Sequence, residues 1–250
     1  MAGHSHWAGI KHKKGKADKQ RSKLFSKLSR EITVSARLGL PEVDFNPRLR
    51  SAVQAARESN MPKDNIVRAI KKAQGPSDDA NYEKSQYEGF GPGGVAFIIE
   101  ALTDNKNRTV TNLRILFEKS GCSLGVEGSV SYQFEEMGQI KIRKELISEE
   151  EVFALALEAG VEDCISGDEY HEIFSKKENF NDVRTVVEKK IKDLSFAGII
   201  WKPKNTVSIN KKETFEKIID FIDLLEDDED VQNVYTNFDV DENILKEMQA

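Results

Sequence analysis

Between Gly138 and Pro203, short apolar runs of strand length alternate with stretches of helical period, and their order narrows the fold more than any other feature of the chain. A strand over Gln139–Arg143 leads into a helix over Ser148–Ala159, which opens with the Ser-x-x-Glu box of Ser148 and Glu151. Strands at Glu162–Ser166 and Tyr170–Ser175 flank the turn Gly167-Asp168. A helix over Asn181–Lys192 then precedes a strand over Phe196–Trp201. Strand, helix, strand, strand, helix, strand is the split β-α-β, or ferredoxin-like, order.

The flanks follow a different grammar. Ahead of this unit come a polar linker at 77–85, an apolar strand at Val95–Leu102, a helix at Asn107–Lys119 and a strand at Gly128–Phe134. Behind it come a strand at Thr206–Ile209, a helix at Lys212–Leu225, an acidic turn at Glu226–Asp230 and a strand at Val231–Phe238. The economical reading is one discontinuous α+β domain, 77–137 with 204–250, into which 138–203 is inserted. Residues 1–76 make a third domain. After an extended arm reaching Gln20, Leu24, Phe25, Leu28, Ile32 and Ala36 recur at helical spacing from Ser22 until Gly39 and Pro41 stop the run. Asn46-Pro47 gives the second helix an N-cap and a proline at its first position, with Leu49, Val53 and Ala56 facing inward. A third helix, Pro62 to Ala73, turns Ile66, Val67 and Ile70 inward. The expected fold class is α+β and multidomain: an N-terminal three-helix bundle plus two α+β domains, one ferredoxin-like and inserted into the other.

A net charge of -6 argues at first against a nucleic-acid partner. Its distribution reverses that argument. Residues 1–75 hold 17 basic and 6 acidic side chains, a balance of +11, while residues 76–250 hold 20 basic and 37 acidic. This is the pattern of an anion-binding module attached to an acidic body. No apolar run approaches the roughly 20 residues needed to cross a bilayer, and the charged stretch Lys11–Lys23 stands where a signal peptide would need an apolar segment. A cytoplasmic protein without a membrane partner is expected. Cys122 and Cys164 form no C-x-x-C pair and suit two reduced, mostly buried thiols.

The densest cationic tract is Lys11, Lys13, Lys14, Lys16, Lys19, Arg21, Lys23, Lys27 and Arg30, nine bases against the single acid Asp18 over residues 1–30. Each phosphate that such an arm neutralises releases condensed counterions, so binding is strong and steeply salt-dependent. Lysines position a protein on the backbone without reading bases. Trp7 can stack on an unpaired base or anchor the arm on the helices. His4, His6 and His12 lack a carboxylate or thiol at ligand spacing, so no metal is expected. The tract Asp104-Asn105-Lys106-Asn107-Arg108-Thr109 opens a helix, where Arg108 is a candidate phosphate contact. Gly89-Phe90-Gly91-Pro92-Gly93-Gly94 lacks the Lys-Ser/Thr of a P-loop and precedes a strand, so a tight turn is the simpler reading. An enzyme with a site near Tyr87–Gly94 is the alternative from another class. His171 sits among Glu169, Tyr170 and Glu172 and is expected at the solvated surface. No catalytic constellation and no cofactor site emerges. No heptad or other dimerisation pattern is evident either, so a monomer is expected. A lysine-dominated arm without a recognition helix favours RNA or the ribosome over an operator on DNA.

The opening Met1-Ala2-Gly3-His4-Ser5-His6-Trp7, with Ile10-Lys11-His12-Lys13, resembles the start of the YebC/PmpR family. So do Asn46-Pro47-Arg48-Leu49-Arg50, the run Asn60-Met61-Pro62-Lys63-Asp64-Asn65-Ile66, Tyr87-Glu88-Gly89-Phe90-Gly91-Pro92-Gly93-Gly94 and Leu102-Thr103-Asp104-Asn105-Lys106-Asn107-Arg108-Thr109. The resemblance covers the whole chain and implies three domains in the arrangement read above. It also implies one of two roles. One is a DNA-binding transcriptional regulator. The other, shared with the mitochondrial translational activator relatives, is a ribosome-associated factor that assists translation of proline-rich stretches. His6 stands where the family pattern has lysine and Gly9 where it has asparagine.

Overall fold

The alternation between 138 and 203 becomes a four-stranded sheet in the computed structural model, which describes residues 17–75, 82–241 and 244, the side chains of 17–20 aside. The chain is a mixed α+β protein, with seven α-helices among the described residues and sheets that are largely antiparallel. It divides into two compact units, one built from 20–75 and 136–200, the other from 82–135 and 201–241.

In the first unit, α1 (Ala17–Leu38), α2 (Pro47–Glu58) and α3 (Lys63–Ala73) enclose Ile32, Ala36, Leu49, Ala52, Val53, Ala56, Ile66 and Ala69. Asn46 organises the turn between the first two. Its Oδ1 accepts the Leu49 N–H at 3.0 Å as the N-cap of α2, and its Nδ2 donates to the carbonyls of Ser35 (2.8 Å) and Leu40 (2.7 Å). The inward assignment of Val67 fails, since Val67 is exposed and Ala69 takes the core position on α3; Leu24 of α1 is exposed as well. Helix α1 also starts at Ala17, within the stretch read as an extended arm, because Ala17 to Gln20 contain no helix breaker.

The same unit holds the strands β4 (Phe134–Arg143), β5 (Asp163–Ser166), β6 (Tyr170–Lys176) and β7 (Phe196–Pro203), ordered β5-β6-β4-β7, with α5 (Glu149–Ala159) and α6 (Phe180–Lys190) as connections. Both pairs made by β6 are antiparallel. Their core is Ile140, Ile142, Val152, Leu155, Ile173, Val183 and Val187. The Ser148–Glu151 capping box forms as expected: Ser148 Oγ accepts the Glu151 N–H, and the Glu151 carboxylate accepts the Ser148 N–H. Ser148→Ala is expected to destabilise this unit by about 1 kcal/mol, read as a lower urea midpoint with an unchanged slope. His171, expected at the surface, is fully buried. Its Nδ1 lies 2.7 Å from Ser166 Oγ, and its Nε2 lies 3.1 Å from the Ile147 carbonyl. Because both ring nitrogens find partners on neighbouring elements, the imidazole is accommodated inside.

The second unit is a sheet ordered β3-β1-β2-β9, from β1 (Glu83–Phe90), β2 (Ala96–Thr103), β3 (Ser123–Leu124) and β9 (Val231–Thr236). Strand β2 is buried on both faces. Phe97 and Ile99 pack with Phe117 of α4 (Lys106–Lys119) and Phe221 of α7 (Lys212–Glu226) on one side; Ala96 and Ile98 meet Val130, Phe134 and Trp201 on the other. The Phe221 ring meets those of Phe97 and Phe117 edge-on at 5.1 and 4.8 Å. The turn Pro92–Gly94 joins β1 to β2, as read, and needs glycine at 93, where φ is +72° and a Cβ would lie 2.9 Å from Thr214 Cγ2.

Three strand assignments change here. Glu83 to Ser85, read as linker, pair as β1 with Ala101 to Thr103. Gly128–Phe134 is a turn instead of a strand, with Gly128 at φ +86° and a 3-10 turn at Ser131–Gln133; strand begins at Phe134 and continues to Arg143. The run Val231–Phe238 is broken at Asn237 into β9 and β10 (Phe238–Val240), and β10 pairs in parallel with β8 (Val207–Ile209).

Candidate nucleic-acid interface

Lys23, Lys27, Arg30 and Arg37 recur at i, i+4, i+7 and i+14, so they share one stripe of α1 beside the Ile32–Ala36 stripe that enters the core. All four are half-buried, with Arg21 exposed at the start of the stripe's helix. Lys19 lies on α1 as well. On α3, Lys63, Arg68, Lys71 and Lys72 are exposed on the side away from Ile66 and Ala69. Lys11, Lys13, Lys14, Lys16 and Trp7 lie outside the described residues, so their contribution remains the sequence expectation.

The cations of α2 are used differently. Arg48 makes a two-pronged pair with Glu31 of α1, Nε to Oε1 at 2.7 Å and Nη2 to Oε2 at 3.0 Å. Glu188 accepts from Arg50 Nη1 at 3.2 Å and from Arg184 Nε at 2.7 Å. Arg184, buried, donates further to the Pro47 carbonyl and to Ser51 Oγ. The bonds of Arg50 and Arg184 hold α2 against α6 inside one unit, and Arg48 and Arg50 are half-buried and paired with carboxylates.

Arg108 stands at the start of α4, where Asn105 caps the helix by accepting the Arg108 N–H at 3.0 Å. Its guanidinium donates to Asp104 at 2.7 Å and to Asp230 at 2.9 Å. These two carboxylates push its pKa up, Asp230 contributing most. Asp230 is buried and also accepts from the hydroxyls of Thr103 and Thr109. Burial alone would raise the Asp230 carboxyl, but Arg108 and then Thr109 outweigh it and hold it below its ordinary value.

A second buried carboxylate had no counterpart in the sequence reading. Glu88, on a mostly polar strand, is 2% exposed and accepts the backbone N–H groups of Val130 (2.7 Å), Ser131 (2.8 Å) and Gly128 (3.1 Å). Burial raises its pKa; the N–H groups of Val130, Gly128 and Ser131 together outweigh burial and bring it below the ordinary carboxylate value. The one signal in the sequence was an acidic residue beside the aromatic and glycine positions of Tyr87–Gly94. Of the two thiols, both half-buried and unpaired in disulfides, Cys164 is pushed up to about 11 by burial, with Asp163 and Glu149 adding to it. Among the described residues no group of three or more His, Cys, Asp or Glu is placed to hold a metal ion, and no helix is long and apolar enough to cross a membrane.

The basic helical segment coincides with one recognised module. Residues 5–76 match the model of the TACO1/YebC protein N-terminal domain, and residues 82–238 match that of the TACO1/YebC second and third domain. The chain belongs to the TACO1/YebC family. A relative from Pelagibacter ubique, named a probable transcriptional regulatory protein, is 53% identical over 243 residues, which is 97% of this chain and all of the relative. The crystal structure of a conserved hypothetical protein from Aquifex aeolicus is similar with a TM-score of 0.82 and 48% identity, covering 94% of this chain and 97% of that one. Within this TACO1/YebC member Arg48, Arg50 and Arg108 are held in ion pairs with Glu31, Glu188, Asp104 and Asp230.

Proposed function

We propose that the chain is a non-enzymatic regulator of gene expression that binds a nucleic-acid backbone through its basic N-terminal domain. The observation that carries this reading is the +11 balance of residues 1–75 within a chain of net charge -6. The lysine and arginine stripe of α1, continued by Lys11, Lys13, Lys14 and Lys16, supplies point charges for phosphate without base readout. In this reading 1–76 is the binding domain, 77–137 with 204–250 a discontinuous α+β domain, and 138–203 an inserted ferredoxin-like domain, a division supported by the strand order β5-β6-β4-β7. RNA within the ribosome, in support of translation through proline-rich stretches, is the favoured polymer. A ribosome offers dense phosphate to the basic segment and basic protein surfaces to the acidic remainder. The protein works in the cytoplasm as a monomer. In a sucrose gradient of lysate it is expected to co-migrate with ribosomal particles at moderate salt, and to leave them at high salt or when residues 1–20 are removed. Absence from those particles at every salt concentration, together with footprinting of a defined promoter, would overturn the RNA assignment.

One finding favours a second reading, DNA-binding transcriptional control: the name carried by the Pelagibacter ubique relative. On that reading the same α1 stripe contacts a duplex, without Arg108, whose guanidinium is held by Asp104 and Asp230.

A further inference from the structure

We propose that Tyr132 is a stacking platform for one unpaired base of an RNA ligand, a site that rests on the RNA reading above but lies outside the basic domain. Tyr132 is 67% exposed, in a 3-10 turn at Ser131–Gln133, yet the turn beneath it is fixed by buried polar groups. The Glu88 carboxylate takes the N–H groups of Val130 and Ser131 just ahead of it, and Gly125 N–H donates to the Glu88 carbonyl at 2.7 Å. The ring itself is braced from the core. Ala96 N–H donates to Asn237 Oδ1 (2.8 Å), Asn237 Nδ2 to Gln133 Oε1 (2.9 Å), and Gln133 Nε2 to the Tyr132 hydroxyl (3.3 Å). The last bond of this chain orients the ring, so that an apolar face is held out in water on a fixed support.

An exposed, preorganised aromatic face is what an unpaired base stacks on, with every base acceptable because each has a π-face. Lys204 Nζ lies 3.4 Å from the Tyr132 carbonyl, which places an exposed cation for the phosphate of the stacked nucleotide. Glu127 and Glu135, both exposed, flank the turn and disfavour a longer run of backbone. The site therefore takes a single splayed nucleotide, and duplex RNA has none to offer.

The test compares Tyr132→Ala and Tyr132→Phe with the parent protein on two probes, an unstructured mixed-sequence oligoribonucleotide and a blunt RNA duplex. Lys13→Glu/Lys14→Glu/Lys16→Glu serves as the backbone control. Tyr132→Ala is expected to weaken single-strand binding by about fivefold or more and leave duplex binding and thermal stability unchanged, while Tyr132→Phe, which keeps the ring but loses the bond that orients it, gives a smaller loss on the single strand alone. Equal loss on both probes, or none on either, overturns the stacking role. If the triple lysine variant weakens binding while Tyr132→Ala changes nothing, only the stacking proposal fails. If the triple variant changes nothing, the RNA reading itself fails. Unchanged RNA affinity with lost co-sedimentation on ribosomal particles would assign Tyr132 to a protein contact and overturn the proposal as well.

Discussion

Replacing Glu88 by alanine is expected to lower the stability of the protein by about 3–5 kcal/mol, because three backbone N–H groups lose a charged acceptor at a buried site. Water cannot easily replace it, since Val130 beside it is fully buried and Ala96, Ile98 and Phe134 close the same cluster. Glu88→Gln retains one acceptor oxygen but turns an amide NH2 toward N–H donors, so it recovers only part of the loss. Urea unfolding with matched slopes measures both. The pH dependence follows from sign. Glu88 and Asp230 both sit below the ordinary carboxylate value when folded. Their stabilisation is therefore complete above the unfolded pKa of about 4 and is lost as pH falls through the folded values. The parent is expected to lose stability below about pH 4 more steeply than Glu88→Gln. Equal acid sensitivity would show that Glu88 does not act through its charge.

The triple substitution Lys13→Glu/Lys14→Glu/Lys16→Glu is expected to lower affinity for structured RNA at least about hundredfold at moderate salt and to reduce the salt slope by about three. Each reversal removes one counterion-releasing contact and adds repulsion from the same phosphate, so the effect grows as salt is lowered. Filter binding across a salt series measures the effect, and an unchanged urea midpoint of the variant separates it from misfolding. An unchanged affinity and slope would remove the basic arm from the binding mechanism. Loss confined to one DNA sequence, with RNA unaffected, would favour the transcriptional reading.

What the sequence made legible follows from where its periodicity was strong. Asn46-Pro47, the Ser148–Glu151 box and the β-α-β-β-α-β order were readable because caps and apolar period are local properties. Strand β1 was missed because Glu83-Lys84-Ser85-Gln86 offers no apolar alternation; its partner Ala101–Thr103 makes it a strand. The break at Asn237 was invisible for a similar reason, since its side chain is claimed by Ala96 and Gln133, far away in sequence. His171 was misplaced because acidic neighbours suggested solvent, whereas the Ile147 carbonyl and Ser166 supply partners inside. The charge of α1 was plain, but only tertiary pairing with Glu31 and Glu188 shows that Arg48 and Arg50 are spent on the fold.

The sheet β3-β1-β2-β9 is closed by a strand, Val231–Thr236, that pairs with Phe97–Ala101 across more than half the chain. While the polypeptide is still being synthesised, Phe97, Ile99 and Phe117 therefore have no cover, because Phe215, Phe221 and Val231 have not yet been made. This unit can complete its core only after α7 and β9 have been made, and loop closure over such a distance makes it the slow step of folding. A premature stop before Lys212 would leave a large apolar sheet face bare and destine the fragment for aggregation or degradation.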